Sequence, residues 1–255
     1  MTPSVQEVKS CCASAYSSAA ARWLLGDSFH PGGPRLTARL IEALAVERAA
    51  TVVDVACGPG WSALQLVRAT GCSVVGVDLS PESVVAAERR VRAAGLAARA
   101  RFLVGDAEAL PIDDAIADGV LCECALCTFP DKAAAATEIA RVLKPGGRLA
   151  LSDVVGRRER LPAELRSLEA WVACLGDVRS PAELESLLEH AGLSIENVER
   201  EDAALVELSM RVEARLRLAQ GFVGDAVEQG LAMARAARAA VAEGALGYAV
   251  VIARR

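Results

Sequence analysis

A glycine-rich turn that follows a short apolar strand constrains this chain more than any other feature. Residues 51–57 read TVVDVAC, a β-branched run that predicts a buried strand, and Gly58-Pro59-Gly60 closes it. Glycines at this point let the backbone approach a ligand closely, at the N-terminus of a helix predicted over residues 61–70. The turn therefore indicates a strand–loop–helix unit of the kind that binds nucleotides.

The alternation of strand and helix continues along the chain. Ser80 and Pro81 have the residue types of an N-cap and a first helical position, which predicts a helix up to about Ala94. Apolar strands separated by helices favour an α/β fold, with a doubly wound, Rossmann-like parallel sheet and right-handed crossovers. Further strands are predicted over residues 72–78, 100–106, 117–124, 148–155, 193–200 and 247–255.

Composition excludes several classes of protein. The 255 residues are 53% hydrophobic and 24% charged, with a net charge of -5, which excludes disorder and argues against nucleic-acid binding. No apolar run is long enough to span a membrane and the N-terminus has no signal pattern, so we expect a cytoplasmic protein without a membrane partner. We predict one domain over 1–255, with a helical cap (1–48), a cofactor-binding core (49–155) and substrate-side helices and last strands (156–255).

Acidic residues end three of the predicted strands. Asp78 lies twenty residues beyond the glycine turn, where doubly wound folds hydrogen-bond the ribose of a nucleotide. Asp106 follows the third strand in the same way, and Asp54 lies in the first strand. Because the carboxyl ends of parallel strands meet at one edge of the sheet, the three acids indicate a nucleotide-like cofactor rather than a merely structural turn.

The ordered segments VVDVACGPGW, VVGVDLS, GDAEALP and RVLKPGGRLALSD resemble the motifs of class I S-adenosylmethionine-dependent methyltransferases. The resemblance covers residues 50–155 and implies a seven-stranded sheet with an antiparallel last strand. It also implies S-adenosyl-L-methionine as cofactor, with Asp54 near the methionine amine and Asp78 on the ribose. The cofactor-binding residues that it implies are Asp54, Ala56, Gly58, Gly60, Asp78, Leu79, Asp106, Ala107, Glu123 and Tyr16.

Eight cysteines, expected to be reduced thiols in the cytoplasm, give a further clue. Cys122 and Cys124 should share one face if the fourth strand extends that far, and Cys127 follows in the loop at the ligand-binding edge. A zinc site would need a second cysteine pair or a spaced histidine, which the sequence does not offer. We interpret His30 and His190 as isolated surface or loop residues.

A narrower resemblance comes from the segment CALCTFPDK, which begins at Cys124, and from WVACLG around Cys174. Both are similar to arsenite methyltransferases, and the resemblance implies that Cys124 and Cys174 hold trivalent arsenic as thiolates. The third ligand stays open, because Cys11-Cys12 precedes Tyr16 instead of following a Tyr-Tyr-Gly motif. The candidate substrate-binding thiols are Cys124, Cys174, Cys127, Cys122, Cys12 and Cys11.

These observations predict methyl transfer to arsenite or a related thiophilic metalloid, which can arrive as a glutathione complex. Soft thiolates suit such a centre, and attack by its lone pair needs no general base. The alternative is a small organic acceptor, quinone-like or another O-, C- or S-nucleophile, with Glu123 or Tyr16 assisting and the cysteines only packing. A third hypothesis is a cofactor- or metalloid-binding protein without catalysis.

Overall fold

The computed structural model describes residues 4–26, 28–219 and 224–255. Seven strands form one sheet: β1 (Thr51–Val55), β2 (Ser73–Asp78), β3 (Ala100–Val104), β4 (Ala117–Glu123), β5 (Leu143–Gly156), β6 (Ser194–Arg200) and β7 (Leu246–Arg254). Their order is β3-β2-β1-β4-β5-β7-β6. In this order the first five strands, β3-β2-β1-β4-β5, pair in parallel with their neighbours. β7 runs antiparallel to both β5 and β6. The predicted Rossmann-like sheet with an antiparallel last strand is confirmed.

Helices flank the sheet, and the helix after β2 begins at its predicted cap. The Ser80 side chain accepts a hydrogen bond from the Ser83 amide, which starts the helix that follows β2. The helices are α1 (Val5–Ser17), α2 (Ala19–Leu25), α3 (Gly33–Leu44), α4 (Trp61–Thr70), α5 (Pro81–Ala93), α6 (Lys132–Val142), α7 (Leu168–Val172), α8 (Pro181–His190), α9 (Asp202–Ala219) and α10 (Gly224–Ala242). Within the described ranges, none of them is both long and apolar enough to cross a membrane. The division into cap, core and substrate-side segments stays a prediction.

The sheet is buried on both faces, as a parallel sheet covered by helices requires. Val52 and Val74 belong to the apolar layer on one side, whereas their neighbours Val53 and Val75 belong to the layer on the other. All four are at most 4% exposed. The edge at which β1, β2 and β4 end therefore lies between two buried apolar layers.

The end of β4 differs from the sequence prediction. The strand ends at Glu123, and Cys124 has φ of +52°, a left-handed conformation that breaks the alternation of a strand. Cys122 consequently packs in the layer of Val53, whereas Cys124 packs against the opposite layer. The prediction that Cys122 and Cys124 share a face is wrong, and Cys122 is a core residue facing away from the other thiols.

Candidate active site

The glycine turn after β1 carries two glycines with different surroundings. Gly58 and Gly60 have φ of +52° and +78°, in the left-handed region that glycine tolerates best. A Cβ on Gly58 would meet no atom within 4 Å, so this glycine faces open space in the cavity. A Cβ on Gly60 would lie 2.7 Å from Cβ of Ala87, so Gly60 lets the turn pack closely against helix α5, while its contact with the cofactor stays a prediction.

Asp78, at the end of β2, fastens the turn to the neighbouring strand. Its Oδ2 accepts a hydrogen bond from the Gly58 amide at 2.8 Å, and its Oδ1 accepts one from the Ser80 amide at 2.9 Å. Each carboxylate oxygen keeps further accepting capacity toward the cavity that Asp78 and Leu79 line. Asp78 thus orders the loop and still offers acceptors for a pair of hydroxyls.

Helix α1 crosses over the adjoining edge of the cavity. Lys9 donates to Oδ2 of Asp106 at 2.6 Å and to Oε2 of Glu108 at 2.5 Å. Asp106 and Ala107, which follow β3, line the same cavity as Asp78. The N-terminal helix is therefore held by charge pairs beside Asp106 and Ala107, which the resemblance assigns to the cofactor site.

Two further acids lie at the base of the cavity. Asp54 is 2% exposed and its Oδ2 has no hydrogen-bond partner in the described part of the chain. Burial, followed by the charges of Glu123 and Asp78, raises the pKa of Asp54 well above its usual value. A cation bound beside Asp54 would relieve this cost. S-adenosylmethionine carries an ammonium group and a sulfonium, so the donor set fits it.

Glu123, the last residue of β4, accepts hydrogen bonds from Thr37 Oγ1 at 2.9 Å and from Ser62 Oγ at 2.5 Å. Nε2 of His30 lies 3.5 Å from the Glu123 carboxylate and 2.9 Å from Ser28 Oγ. His30 lies in the loop before α3, as expected, but it is 8% exposed and lines the cavity, so it is not a surface residue. The loop before α3 buries it, an outcome of tertiary docking that local sequence does not encode. His190 is exposed at the end of α8, as expected.

Three cysteines from two distant segments meet beside the cavity. The Sγ atoms of Cys124, Cys127 and Cys174 all lie within 4.8 Å of one another. Cys127 lies in the short turn Leu126–Thr128 after β4, and Cys174 follows α7. Burial raises the pKa of the Cys127 thiol. Hydrogen bonds from Cys124 and Cys127 lower the pKa of Cys174.

The backbone at two of these cysteines is strained. Cys124 has φ of +52° and Cys174 has φ of +63°, in a region that side chains with a Cβ rarely occupy. Such residues cluster at functional sites, where the surrounding structure holds them in place. Both thiols belong to the cluster, and the Cys174 Sγ lies 3.4 Å from the Cys124 carbonyl oxygen although 50 positions separate the two residues.

The other predicted thiols differ in whether they line the cavity. Cys12 lines the cavity together with Tyr16, and burial, with smaller contributions from Cys174 and Cys11, raises the pKa of Cys12 to about 12. Cys11 is half-buried and does not belong to the cavity wall, whereas Cys127 supplies the third sulfur of the cluster. The cluster offers three thiol ligands, one fewer than the four that a closed structural zinc site uses.

Sequence reasoning missed two charged residues near the cluster. Asp153 accepts a hydrogen bond from the Cys127 amide at 2.8 Å, and burial followed by the Cys174 charge raises the pKa of Asp153 to about 7. Lys132 is 6% exposed, pairs with Asp177 at 2.5 Å and lowers the pKa of Cys174. The Pro-Asp-Lys segment was the available signal for Lys132. Nothing local marks Asp153, which lies inside an apolar strand.

Most of the predicted cofactor residues therefore converge on one cavity. Its wall contains Tyr16, Asp54, Ala56, Gly58, Asp78, Leu79, Asp106, Ala107 and Glu123, together with Cys12 and Cys124. Gly60 and Cys122 lie outside the wall for the packing reasons given above.

The comparisons with known proteins agree with this geometry. Residues 53–151 match the family described as "Methyltransferase domain". Over its whole length the fold is similar to the crystal structure of the [4+2]-cyclase SpnF, with a TM-score of 0.79 and 24% identity over 97% of that chain. This second likeness concerns the fold alone.

Three curated relatives cover part of the chain. Methyltransferase GfsG of Streptomyces halstedii is 36% identical over 172 residues, which span 66% of this chain and 62% of that protein. The 27-O-demethylrifamycin SV methyltransferase of Amycolatopsis mediterranei is 34% identical over 167 residues, 65% of this chain and 61% of the relative. The arsenite methyltransferase of Halobacterium salinarum is 28% identical over 155 residues, which span 60% of this chain and 39% of that protein.

The matches thus span about six tenths of the length of the first two relatives and less of the third. This chain therefore contains a methyltransferase domain over residues 53–151, in the fold expected of class I S-adenosylmethionine-dependent methyltransferases.

Proposed function

We propose that this chain transfers a methyl group from S-adenosylmethionine to a nucleophilic atom of a small organic acceptor. The observation that carries the proposal is the cavity itself, in which Asp54, Asp78 and Glu123 form an acidic base beside a loop open at Gly58. Acidic walls around a largely apolar space favour a cationic ligand over a nucleotide phosphate. When bound, the cofactor supplies an electrophilic methyl group on a positively charged sulfur.

The chain's own residues position the two reactants. Asp78 and the turn at Gly58 fix one end of the cofactor, and Asp54 offers its free Oδ2 to an ammonium group. Tyr16 and Cys124 line the cavity at the side from which an acceptor reaches the methyl group. Holding the reacting atoms about 3–3.5 Å apart removes most of the entropic barrier. For an O–H acceptor, the Glu123 carboxylate is the proposed destination of the proton.

The relatives support an organic acceptor. The name of the Amycolatopsis relative specifies a rifamycin, and that protein is 34% identical to this chain, above the 28% of the arsenite methyltransferase. The cyclase with the same fold is a reminder that the fold does not determine the reaction. The substrate therefore has to be argued from the acceptor side of the cavity.

One observation favours a second candidate, methylation of arsenite or another thiophilic metalloid. Cys124, Cys127 and Cys174 bring three sulfurs within 4.8 Å, a spacing at which a single soft centre can bond to all of them. In this mechanism the thiolates orient the lone pair of the metalloid toward the methyl group, and no proton has to leave. Tyr16 would support the cluster through Cys174.

One assay separates the two candidates. S-adenosylhomocysteine release is measured with hydroquinones, phenols and macrolide-type alcohols, and in parallel with arsenite plus glutathione. The organic proposal predicts release with at least one organic acceptor and unchanged turnover in Cys174→Ser. The metalloid candidate predicts release with arsenite that Cys124→Ser and Cys174→Ser each abolish, while Cys72→Ser, at a buried thiol outside the cluster, leaves it intact. Failure to bind S-adenosylmethionine in calorimetry would overturn both.

A further inference from the structure

A second cavity, of about 320 Å³, adjoins the cofactor cavity and lies between the N-terminal helices and helices α9 and α10. We call it the apolar chamber. Tyr16, Phe29 and Cys124 line both cavities, so the chamber begins where the cofactor cavity reaches the thiols. Its volume falls in the range of small-molecule sites, about 300–1,000 Å³. A ligand in the chamber would therefore lie next to the methyl group of a bound cofactor.

The walls of the apolar chamber are built from aliphatic side chains. Helix α9 contributes residues that include Leu205, Leu208 and Val212, and helix α10 contributes Met233 and Ala234. Such walls stabilise a ligand by removing hydrocarbon surface from water, at about 25 cal/mol per Å². They offer few directional contacts, so they recognise shape and apolarity.

Charge is nearly absent from the chamber wall. Among the lining residues that the structure describes, Glu169 is the one carboxylate and is exposed to solvent, and the Cys174 thiol, whose pKa is lowered, is the other group that can become negatively charged. The buried hydroxyl of Ser209 already donates to the Val206 carbonyl at 2.7 Å. A phosphate, sulfonate or carboxylate placed in the chamber would find no lysine, arginine or histidine among those lining residues. Burial of such an unpaired anion is strongly unfavourable.

We propose that the apolar chamber holds the uncharged hydrocarbon body of the methyl acceptor, with the nucleophilic atom placed at Tyr16 and Cys124. This inference rests on the proposed function and narrows its substrate class to neutral, largely apolar molecules. Phosphorylated, sulfonated and zwitterionic acceptors are excluded by the same wall. The chain thereby selects its acceptor by the absence of charge partners.

Two fluorescent probes that share one ring system test the inference. N-phenyl-1-naphthylamine is neutral, and 8-anilinonaphthalene-1-sulfonate is its sulfonated counterpart. Each is titrated into the full-length protein with S-adenosylhomocysteine present, which occupies the cofactor cavity. The neutral probe is expected to bind at one site per chain and at least about tenfold more tightly than the anion, because the anion has no partner in the chamber. Equal or tighter binding of the anion would overturn the proposal.

A matched pair of variants on α10 locates the site. Ala234 lines the chamber and is 6% exposed, whereas Ala232 is exposed on the same helix. Ala234→Phe fills the chamber and should weaken the neutral probe at least about tenfold, while Ala232→Phe should leave its affinity unchanged. A folded Ala234→Phe protein that keeps the wild-type affinity contradicts the proposal.

A third variant keeps the test decisive if Ala234→Phe does not fold. Leu208 is half-buried in the chamber wall, and Leu208→Arg places a cation there. The preference should then shift toward the sulfonated probe by about tenfold or more. An unchanged ratio of the two affinities in folded Leu208→Arg overturns the inference.

The calorimetric affinity for S-adenosylmethionine distinguishes a failure of the proposed methyl transfer from a failure of the proposed substrate class. If the cofactor does not bind but the probes behave as expected, methyl transfer is wrong and the chamber still selects neutral ligands. If the cofactor binds and the sulfonated probe is preferred, methyl transfer stands and the substrate class is wrong.

Discussion

The hydroxyl of Tyr16 lies 3.3 Å from the Sγ of Cys174, although 158 positions separate the two residues. The same hydroxyl donates to the Val172 carbonyl at 2.8 Å. Helix α1 is thereby fixed to the segment that carries one of the three clustered thiols, while Lys9 fixes it to Asp106 on the cofactor side. Helix α1 therefore contacts both the cofactor cavity and the thiol cluster.

The Tyr16 contact predicts a change in thiol acidity. Tyr16→Phe removes a hydroxyl that can turn its one hydrogen from the Val172 carbonyl to the Cys174 thiolate and so lowers the pKa of Cys174; that pKa should therefore rise in the variant. Alkylation of Cys174 by iodoacetamide, followed by mass spectrometry across a pH series, should therefore be slower in the variant at each pH below the shifted pKa. Cys72, which is outside the cluster, provides the internal control within the same spectra. An identical alkylation profile at Cys174 would show that the hydroxyl has no electrostatic role.

Cofactor affinity should depend on Asp78. Asp78→Ala removes a carboxylate that can accept ribose hydroxyls and that holds the Gly58 amide. Loss of hydrogen bonds to a charged group costs about 1.5–3 kcal/mol, or roughly a ten- to hundredfold weaker affinity for S-adenosylmethionine. Titration calorimetry measures this directly. Asp114→Asn, at an exposed carboxylate, is the control and should bind normally; equal affinities of the two variants would remove Asp78 from the site.

The two glycines of the turn should separate binding from stability. Gly58→Ala costs about 1–2 kcal/mol for the left-handed backbone and places a methyl group in open cavity space, so it should weaken cofactor binding. Gly60→Ala adds a contact of 2.7 Å to Ala87 and should lower the free energy of unfolding further, by about 1–3 kcal/mol. Urea denaturation and calorimetry on both variants distinguish the effects. The opposite ranking in stability would contradict the assignment of Gly60 to packing.

The free energy of unfolding should decrease as the pH rises, because of Asp153. Its pKa is raised from 3.8 to about 7 by burial and by Cys174, so the folded state binds more protons than the unfolded state between these values. The stabilisation is complete below pH 4 and is lost as the pH rises to about 7. Asp153→Asn removes this titration, and its stability relative to the wild type should increase from pH 5 to pH 8. Denaturant titrations at each pH measure it, with exposed Asp113→Asn as the control; a difference that does not vary with pH refutes the prediction.

The sequence was sufficient for the parts of the site that local patterns encode. The turn at Gly58 and the acid Asp78 follow apolar β-branched runs, and a parallel sheet brings the ends of such strands together regardless of distant packing. The pairing of Cys124 with Cys174 depended instead on resemblance, because 50 residues of helix and turn separate them.

Other parts depend on tertiary structure. Cys122 was misplaced because period-two reasoning assumed that the strand continues through Cys124, whereas the left-handed residue ends it. The burial of His30 is decided by how the loop before α3 docks against Glu123. Asp153 is an acidic residue in an apolar strand, and the hydrogen bond that it accepts from the Cys127 amide forms only in the folded chain.

The left-handed backbone at Cys124 and Cys174 has a consequence for engineering this chain. Glycine adopts that conformation more easily, by about 1–2 kcal/mol per position, and this gain offsets part of the cost of removing the packed side chain. A selection for heat resistance alone would therefore oppose glycine at these two positions less than at other buried cysteines, although glycine at either one dismantles the thiol cluster. Positions where backbone preference and chemistry oppose each other in this way mark the residues that a stabilised version of the enzyme must keep.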